Sequence, residues 1–206
     1  MSGAEKTGII LLAAGGSRRM GSPKQLLKIG DEFLINHIIK ILLSVPDSDL
    51  VVVLGGNHKS IEPILQNKNH FRIVINEEWE SGMASSIQKG VRILENESDS
   101  ILMCTVDQPE ISLEHLLRMR KIFTDSKSGQ MGIVASSYLD TLGIPVLFDK
   151  RFFKELLKLQ GDVGAKAIFQ KNKESVTAIP FPKGEVDLDT EEEYRLWIKN
   201  SFHQSN

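Results

Sequence analysis

The run LAAGGSRRMGSPKQLL, Leu12 to Leu27, decides how the rest of the chain is read. It begins where the apolar run Gly8–Leu12 ends, and it carries three glycines, two arginines and a lysine. Gly15 and Gly16 let the backbone turn tightly and bring amide N–H groups close to a ligand's phosphate oxygens. Arg19 and Lys24 add the charge that a triphosphate needs. A plain strand-to-helix turn with solvated arginines is the competing reading, and position weighs against it if Gly8–Leu12 opens an α/β sheet. Neither common glycine motif fits. Gly16 and Gly21 have P-loop spacing, but Ser22-Pro23 stand between the second glycine and Lys24. A dinucleotide fingerprint wants an acidic residue at the end of the second strand, where this chain has Gly55-Gly56, and this disfavours an NAD-binding oxidoreductase.

Working outward, short apolar runs recur at Gly8–Leu12, Leu50–Leu54, Phe71–Ile75, Ile101–Cys104 and Gly132–Ala135, each bounded by turn residues. Helical spacing lies between them, at Leu34/Ile38/Ile41/Leu42, Ile61/Ile64/Leu65, Ile87/Val91/Leu94 and Leu113/Leu116/Leu117/Met119. Strands that are apolar throughout and alternate with helices predict a Rossmann-like α/β three-layer sandwich, with a mostly parallel sheet covered on both faces. Ligands then bind beyond the carboxyl ends of the strands. The last third predicts helices at Phe152–Leu159, Val163–Phe169 and Glu191–Ile198, a strand at Ser175–Ile179 and a frayed tail at Asn200–Asn206. No repeat or linker divides the chain, so residues 1–206 are expected to form one domain.

Composition narrows the function classes. With 206 residues, 41% hydrophobic and 25% charged, the chain reads as an ordinary globular protein. A net charge of -2, from 25 basic against 27 acidic residues, provides no basic footprint for nucleic acid. No apolar run approaches a membrane span, and Gly8–Ala14, preceded by Glu5, reads as a strand better than as a leader. The single cysteine, Cys104, sits in an apolar run and needs no oxidising compartment, so a cytoplasmic location is expected. It reads as a packing residue. The histidines His37, His58, His70, His115 and His203 show no ligand spacing and read as ordinary surface or core residues.

Asp107 follows Ile101–Cys104 and is turned by Pro109, which puts its carboxylate at the sheet's ligand edge. On its own it could simply start a turn. Asp187 and Asp189 precede the last helix, where Asp189 or Thr190 could serve as N-cap.

The glycine-rich run resembles the signature of the molybdenum-cofactor nucleotidyltransferases, and within them the cytidylyltransferase branch. Similarity continues in order through GMASSIQKGV (Gly82–Val91), TVDQPEI (Thr105–Ile111), GIPVLF (Gly143–Phe148), GDVGAKA (Gly161–Ala167) and DLDTEEEY (Asp187–Tyr194). The resemblance implies the fold of nucleotide-diphospho-sugar transferases and transfer of CMP from CTP to molybdenum-bearing molybdopterin. It implies Mg²⁺ on Asp107 and Asp189, with Arg19, Lys24 and Asp107 catalytic. It implies a nucleotide site of Leu12, Ala13, Ala14, Gly15, Gly16, Ser17, Arg19, Lys24, Ser85, Ser86 and Asp107, although Ser85 and Ser86 could equally cap a helix. The Gly161–Gly164 turn resembles an acceptor-side loop, and a simple helix-start turn accounts for it as well. A molybdenum hydroxylase would receive the product. Guanylyl-transferring relatives tend to carry glycine where this chain has Ala14. The alternatives are a guanylyltransferase, a sugar- or polyol-phosphate nucleotidyltransferase of the same fold, and a non-catalytic cofactor chaperone.

Overall fold

The apolar run ahead of the glycines forms an interior strand of a seven-stranded sheet. A computed structural model describes residues 5–17, 19–126 and 132–203, the side chains of Phe202 and His203 excepted. Arg18, the His203 side chain and the tail's last residues, 204–206, lie outside the described residues. In chain order the elements are β1 (Thr7–Ala13), β2 (Lys28–Ile29), β3 (Glu32–Phe33), α1 (Leu34–Leu43), β4 (Ser48–Leu54), α2 (His58–Ile61), β5 (Arg72–Ile75) and α3 (Met83–Leu94). Then come β6 (Ser100–Thr105), α4 (Leu113–Asp125), β7 (Ile133–Tyr138), β8 (Thr141–Asp149), α5 (Phe153–Leu156), α6 (Lys166–Lys171), β9 (Val176–Pro180) and α7 (Glu191–His203). The sheet order is β5-β4-β1-β6-β8-β7-β9, with β2 and β3 forming a small separate hairpin.

Alternation along β1 separates the two cores. Ile9, Leu11 and Ala13 pack with Leu34, Ile38, Leu116 and Met119 of α1 and α4. Ile10, Leu12 and Ala14 pack with Ile87 and Val91 of α3, Leu156 of α5 and Phe169 of α6. Both faces of the strand are therefore covered, which is why its sequence is apolar throughout. Registers of Ala13 with Leu54 and of Leu12 with Thr105 end β1, β4 and β6 flush, so their following loops open on one edge.

β5, β4, β1 and β6 run parallel, while β8 is antiparallel to both β6 and β7. Sequence reading did not anticipate β8, because Gly143 and Pro145 interrupt its apolar pattern. Those residues sit at a real irregularity. The pairing jumps from Ala135–Val146 to Ser136–Gly143, and Ile144 and Pro145 have no partner across β7. Three predicted helices are shorter than expected. Pro63 ends α2 and leaves Glu62–Ile64 as a 3-10 turn, α5 covers only Phe153–Leu156, and α6 starts at Lys166 rather than Val163.

Gly55 follows β4 against the glycine loop. A Cβ added there would stand 2.3 Å from the Ala14 carbonyl oxygen, a backbone atom that cannot step aside. Gly55→Ala is expected to lower the unfolding free energy by about 1–3 kcal/mol. Urea denaturation measures this, and an unchanged midpoint would show that the two loops are not in contact.

Candidate active site

The loop after β1 is stitched by its own polar residues. Gln25 is buried and donates through Nε2 to the carbonyls of Ala13 (2.7 Å) and Gly15 (3.3 Å). Ser17, at φ +50°, accepts the Lys24 N–H on its hydroxyl at 2.9 Å. The loop thus closes on itself and delivers the Lys24 side chain to the sheet edge. Trp79 backs it. Cβ atoms added at Gly16 and Gly56 would lie 2.7 and 2.6 Å from the indole, so both glycines are needed for packing against it. A cavity of about 330 Å³ opens here, walled by Leu12, Ala14, Gly15 and Gly16 on one side and by Ser86, Thr105 and Asp107 on the other.

Asp107 meets two acids from far along the chain. The Leu188 N–H donates to the Asp107 carbonyl at 3.0 Å, and the Leu188 side chain is buried. Asp187 and Asp189 flank that anchor, and carboxylate oxygens of Asp107, Asp187 and Asp189 lie within 4.8 Å of one another. Asp189 is not needed as a helix cap. Thr190 Oγ1 accepts the Glu193 N–H at 3.2 Å, and Glu193 Oε2 accepts the Thr190 N–H at 2.7 Å, a reciprocal capping box that starts α7.

Lys24 Nζ sits among these acids, 2.9 Å from Asp107, 2.7 Å from Asp189 and 4.0 Å from Asp187. Arg19 pairs with the other side of Asp189. Burial opposes the lysine's charge, but the carboxylates of Asp107 and Asp189 outweigh it and hold its pKa above the ordinary value. Burial likewise opposes ionisation of Asp189, but hydrogen bonding and charge from Lys24, with Arg19, bring its pKa below the ordinary value. Asp187 has only the more distant charge of Lys24, at 4.0 Å. Burial first, then the charge of Asp107, push its carboxyl up to about 7. The cluster is short of positive charge.

Leu12, Ala14, Gly15, Gly16, Lys24, Ser86 and Asp107 thus share one cavity wall, while Ser17, Arg19 and Asp189 line an adjoining recess with Lys24. Ala13 turns its side chain into the opposite core and contributes only a carbonyl. The Ser85 hydroxyl is spent on the turn before α3, accepting from Asn76 Nδ2 at 2.8 Å and facing the Gly82 carbonyl at 2.8 Å. Ser86 also accepts from Asn76, at 2.9 Å, and keeps a place on the wall. Sequence reading did not single out Gln25 or Trp79. It favoured Asp189 over Asp187, although the Asp-Leu-Asp alternation already put both acids on one side of a buried leucine.

The family description "MobA-like NTP transferase domain" matches residues 9–176. The chain belongs to this family. It is therefore a nucleotidyltransferase. Purine catabolism protein PucB of Bacillus subtilis is 30% identical over 199 residues, 91% of this chain and 93% of that protein. Nicotine blue oxidoreductase of Paenarthrobacter nicotinovorans is 31% identical over 198 residues, covering 91% and 94%. A shorter match, 30% over 117 residues, joins 57% of this chain to 51% of a molybdenum cofactor guanylyltransferase of Syntrophotalea carbinolica. The crystal structure of Rv0371c from Mycobacterium tuberculosis superposes with a TM-score of 0.83 at 25% identity, covering 95% of this chain and 98% of that one. Rv0371c has also been solved in complex with manganese.

Because the folded Asp187 carboxyl holds its proton up to about 7, the unfolded chain releases that proton first, and stability falls as pH rises from the ordinary carboxylate range toward 7. In this MobA-like transferase, freed of metal by chelator, Asp187→Asn is expected to melt above the parent at pH 8. The gap should be of the order of 1 kcal/mol, since solvent screens this half-exposed group, and should close by about pH 4. Equal melting at both pH values would show that the acids do not repel.

Proposed function

We propose that this transferase moves CMP from CTP to the phosphate of molybdenum-bearing molybdopterin, with Mg²⁺ held by Asp107 and Asp189, and passes the dinucleotide product to a molybdenum hydroxylase. The observation that carries the reading is the Asp107–Asp187–Asp189 cluster meeting Lys24 beside a glycine loop at the carboxyl edge of a parallel sheet. An all-carboxylate set with a deficit of positive charge suits a hard divalent cation, and Mg²⁺ usually takes one or two carboxylates together with phosphate oxygens. When bound, it would supply neutralising charge to the phosphates. The molybdopterin acceptor is supported by the sequence resemblance and by the guanylyltransferase relative.

The chemistry needs no protein nucleophile. An oxygen of the acceptor phosphate, already ionised at neutral pH, forms the new bond to the α-phosphorus of CTP, and the bond to the β-phosphate oxygen breaks to release pyrophosphate. The residues' work is alignment and charge. Loop amides of Gly15 and Gly16 face the phosphates, while Lys24 and Arg19 stabilise the departing pyrophosphate. Lys24 and Arg19 both pair with the acids, so Lys24 occupies part of the place that a metal cation would take.

Pyrophosphate release from each of four nucleoside triphosphates, with molybdopterin or a sugar phosphate as acceptor, tests the reading. Release with CTP and molybdopterin is the expected result. The same readout separates a silent cofactor chaperone. A redox activity, raised by the name of the nicotine blue relative, would instead consume a nicotinamide cofactor without releasing pyrophosphate. Asp107→Asn is expected to cost several orders of magnitude in transfer while the fold is kept. Lys24→Met should slow transfer and yet bind Mn²⁺ more tightly without nucleotide, because a competing cation is gone; electron paramagnetic resonance counts the free ion. Weaker Mn²⁺ binding in Lys24→Met would contradict the placeholder role.

Ala14 carries the base preference. Its side chain belongs to the core beneath the cavity that the residue lines, and its carbonyl abuts Gly55, so loss of the methyl group would let this stretch of backbone settle toward the core and widen the slot. The parent should prefer CTP over GTP, and Ala14→Gly should relax that preference by roughly 1–3 kcal/mol in kcat/KM. Equal or better use of GTP by the parent would favour the guanylyltransferase reading.

A further inference from the structure

The three acids reach the site on two separate pieces of chain. Asp107 follows β6, whereas Asp187 and Asp189 stand in residues 186–190, between the 3-10 turn Pro182–Glu185 and α7 and outside any helix or strand. The Leu188 N–H joins the two pieces through the Asp107 carbonyl. A stretch with no ladder of its own opens readily unless its flanks are held. Here the flanks are held from one place. Glu110, three positions after Asp107, accepts from Lys183 Nζ on Oε2 at 2.9 Å and from Trp197 Nε1 on Oε1 at 2.7 Å. Lys183 belongs to the turn before the acids, and Trp197 to the helix after them. Gln108 adds a longer tie, its Nε2 donating to the Gly184 carbonyl at 3.2 Å.

Glu110 is itself fixed in place. The Ile111 N–H donates to the Gln108 carbonyl at 3.4 Å across the turn, the Ile111 side chain is buried, and the Ser112 hydroxyl accepts the His115 N–H at 3.3 Å to start α4. Burial opposes ionisation of the Glu110 carboxyl, but hydrogen bonds from Lys183 and Trp197, with the charges of Lys183 and His37, hold its pKa below the ordinary value. It is therefore charged at neutral pH, which strengthens both bonds. Each of its oxygens is spent away from the Asp107–Asp187–Asp189 group, so Glu110 is no fourth member of it. The Lys183 side chain is 67% exposed, and such an ion pair adds little to overall stability. Its effect is on where the turn sits.

We propose that Glu110 is a positioning residue of the transferase: by gripping the chain on both sides of residues 186–190, it keeps Asp187 and Asp189 opposite Asp107, close enough together to share a divalent cation. The inference rests on the metal-dependent reading above and adds to it a residue that touches neither metal nor substrate.

Two readouts test it on the full chain freed of metal by chelator. One is amide hydrogen exchange at Leu188, with Leu11 of β1 as the reference for global opening. The other is affinity for added Mn²⁺, from electron paramagnetic resonance of the free ion. Glu110→Ala should speed exchange at Leu188 by about tenfold relative to Leu11 and weaken Mn²⁺ binding by about tenfold, the low end of what lost ligand-orienting contacts cost. Lys183→Met, which keeps the Trp197 bond, should move both readouts the same way by less, and Lys183→Arg, which keeps the charge, should match the parent. A merely stabilising role would speed Leu188 and Leu11 together and leave the Mn²⁺ affinity of the folded protein alone. That result overturns the proposal, as does unchanged Leu188 exchange in Glu110→Ala. Failure of the metal reading looks different: the parent itself binds no Mn²⁺, while the Leu188 shift in Glu110→Ala persists and upholds the grip on the segment.

Discussion

The ion pairs made by Lys24 hold the site together. Its amine joins the first loop to acids 83 and 165 positions further along the chain. Neither contact would form unless β6 ended beside β1 and the segment before α7 returned to the same edge. The Leu188 amide, bonded to the Asp107 carbonyl, makes that return, and burial of the leucine fixes which way its two acidic neighbours face. Two short backbone commitments, Gln25 beneath the glycine loop and Leu188 beneath the acids, therefore set the geometry of groups that carry opposite charge. The arrangement leaves Asp187 the least supported of the three acids, its carboxyl pushed up to about 7.

Much of the fold was legible because β1, β4 and β6 are covered on both faces and so carry unbroken apolar runs, Ile9–Ala13, Leu50–Leu54 and Ile101–Cys104, a pattern that surface strands do not share. β8 was hidden for a local reason. Gly143 and Pro145 look like punctuation in a sequence, yet here they lie inside a strand, where its pairing with β7 shifts register. Lys24 and Arg19 could be nominated from residue type and position, Asp107 and Asp189 only with the family resemblance, and the structure brings the four together. Gln25 and Trp79 could not, because their roles are contacts with backbone and glycines that no spacing encodes. Asp189 and Thr190 both read as N-cap candidates, and only the Thr190–Glu193 geometry leaves Asp189 free of that role.

The glycines illustrate how one residue type answers two demands. Gly15 has open space around its Cβ position, as expected for a backbone that meets a ligand, whereas Gly16 and Gly56 are pressed against the Trp79 indole. Part of the glycine-rich loop is therefore a packing surface that holds the open part in place.

Placing antiparallel β8 between β6 and β7 also constrains how the chain can be assembled during synthesis. β1, β4 and β5 can pair once residue 75 has emerged, but the other edge of β1 stays open until β6, beginning at Ser100, arrives, and the far edge of β6 stays open until β8 is complete at Asp149. These are apolar edges with unpaired backbone groups, the kind that recruit foreign strands. The nascent protein consequently passes through a stage in which these edges are bare, and slow translation across residues 76–149 would lengthen that exposure.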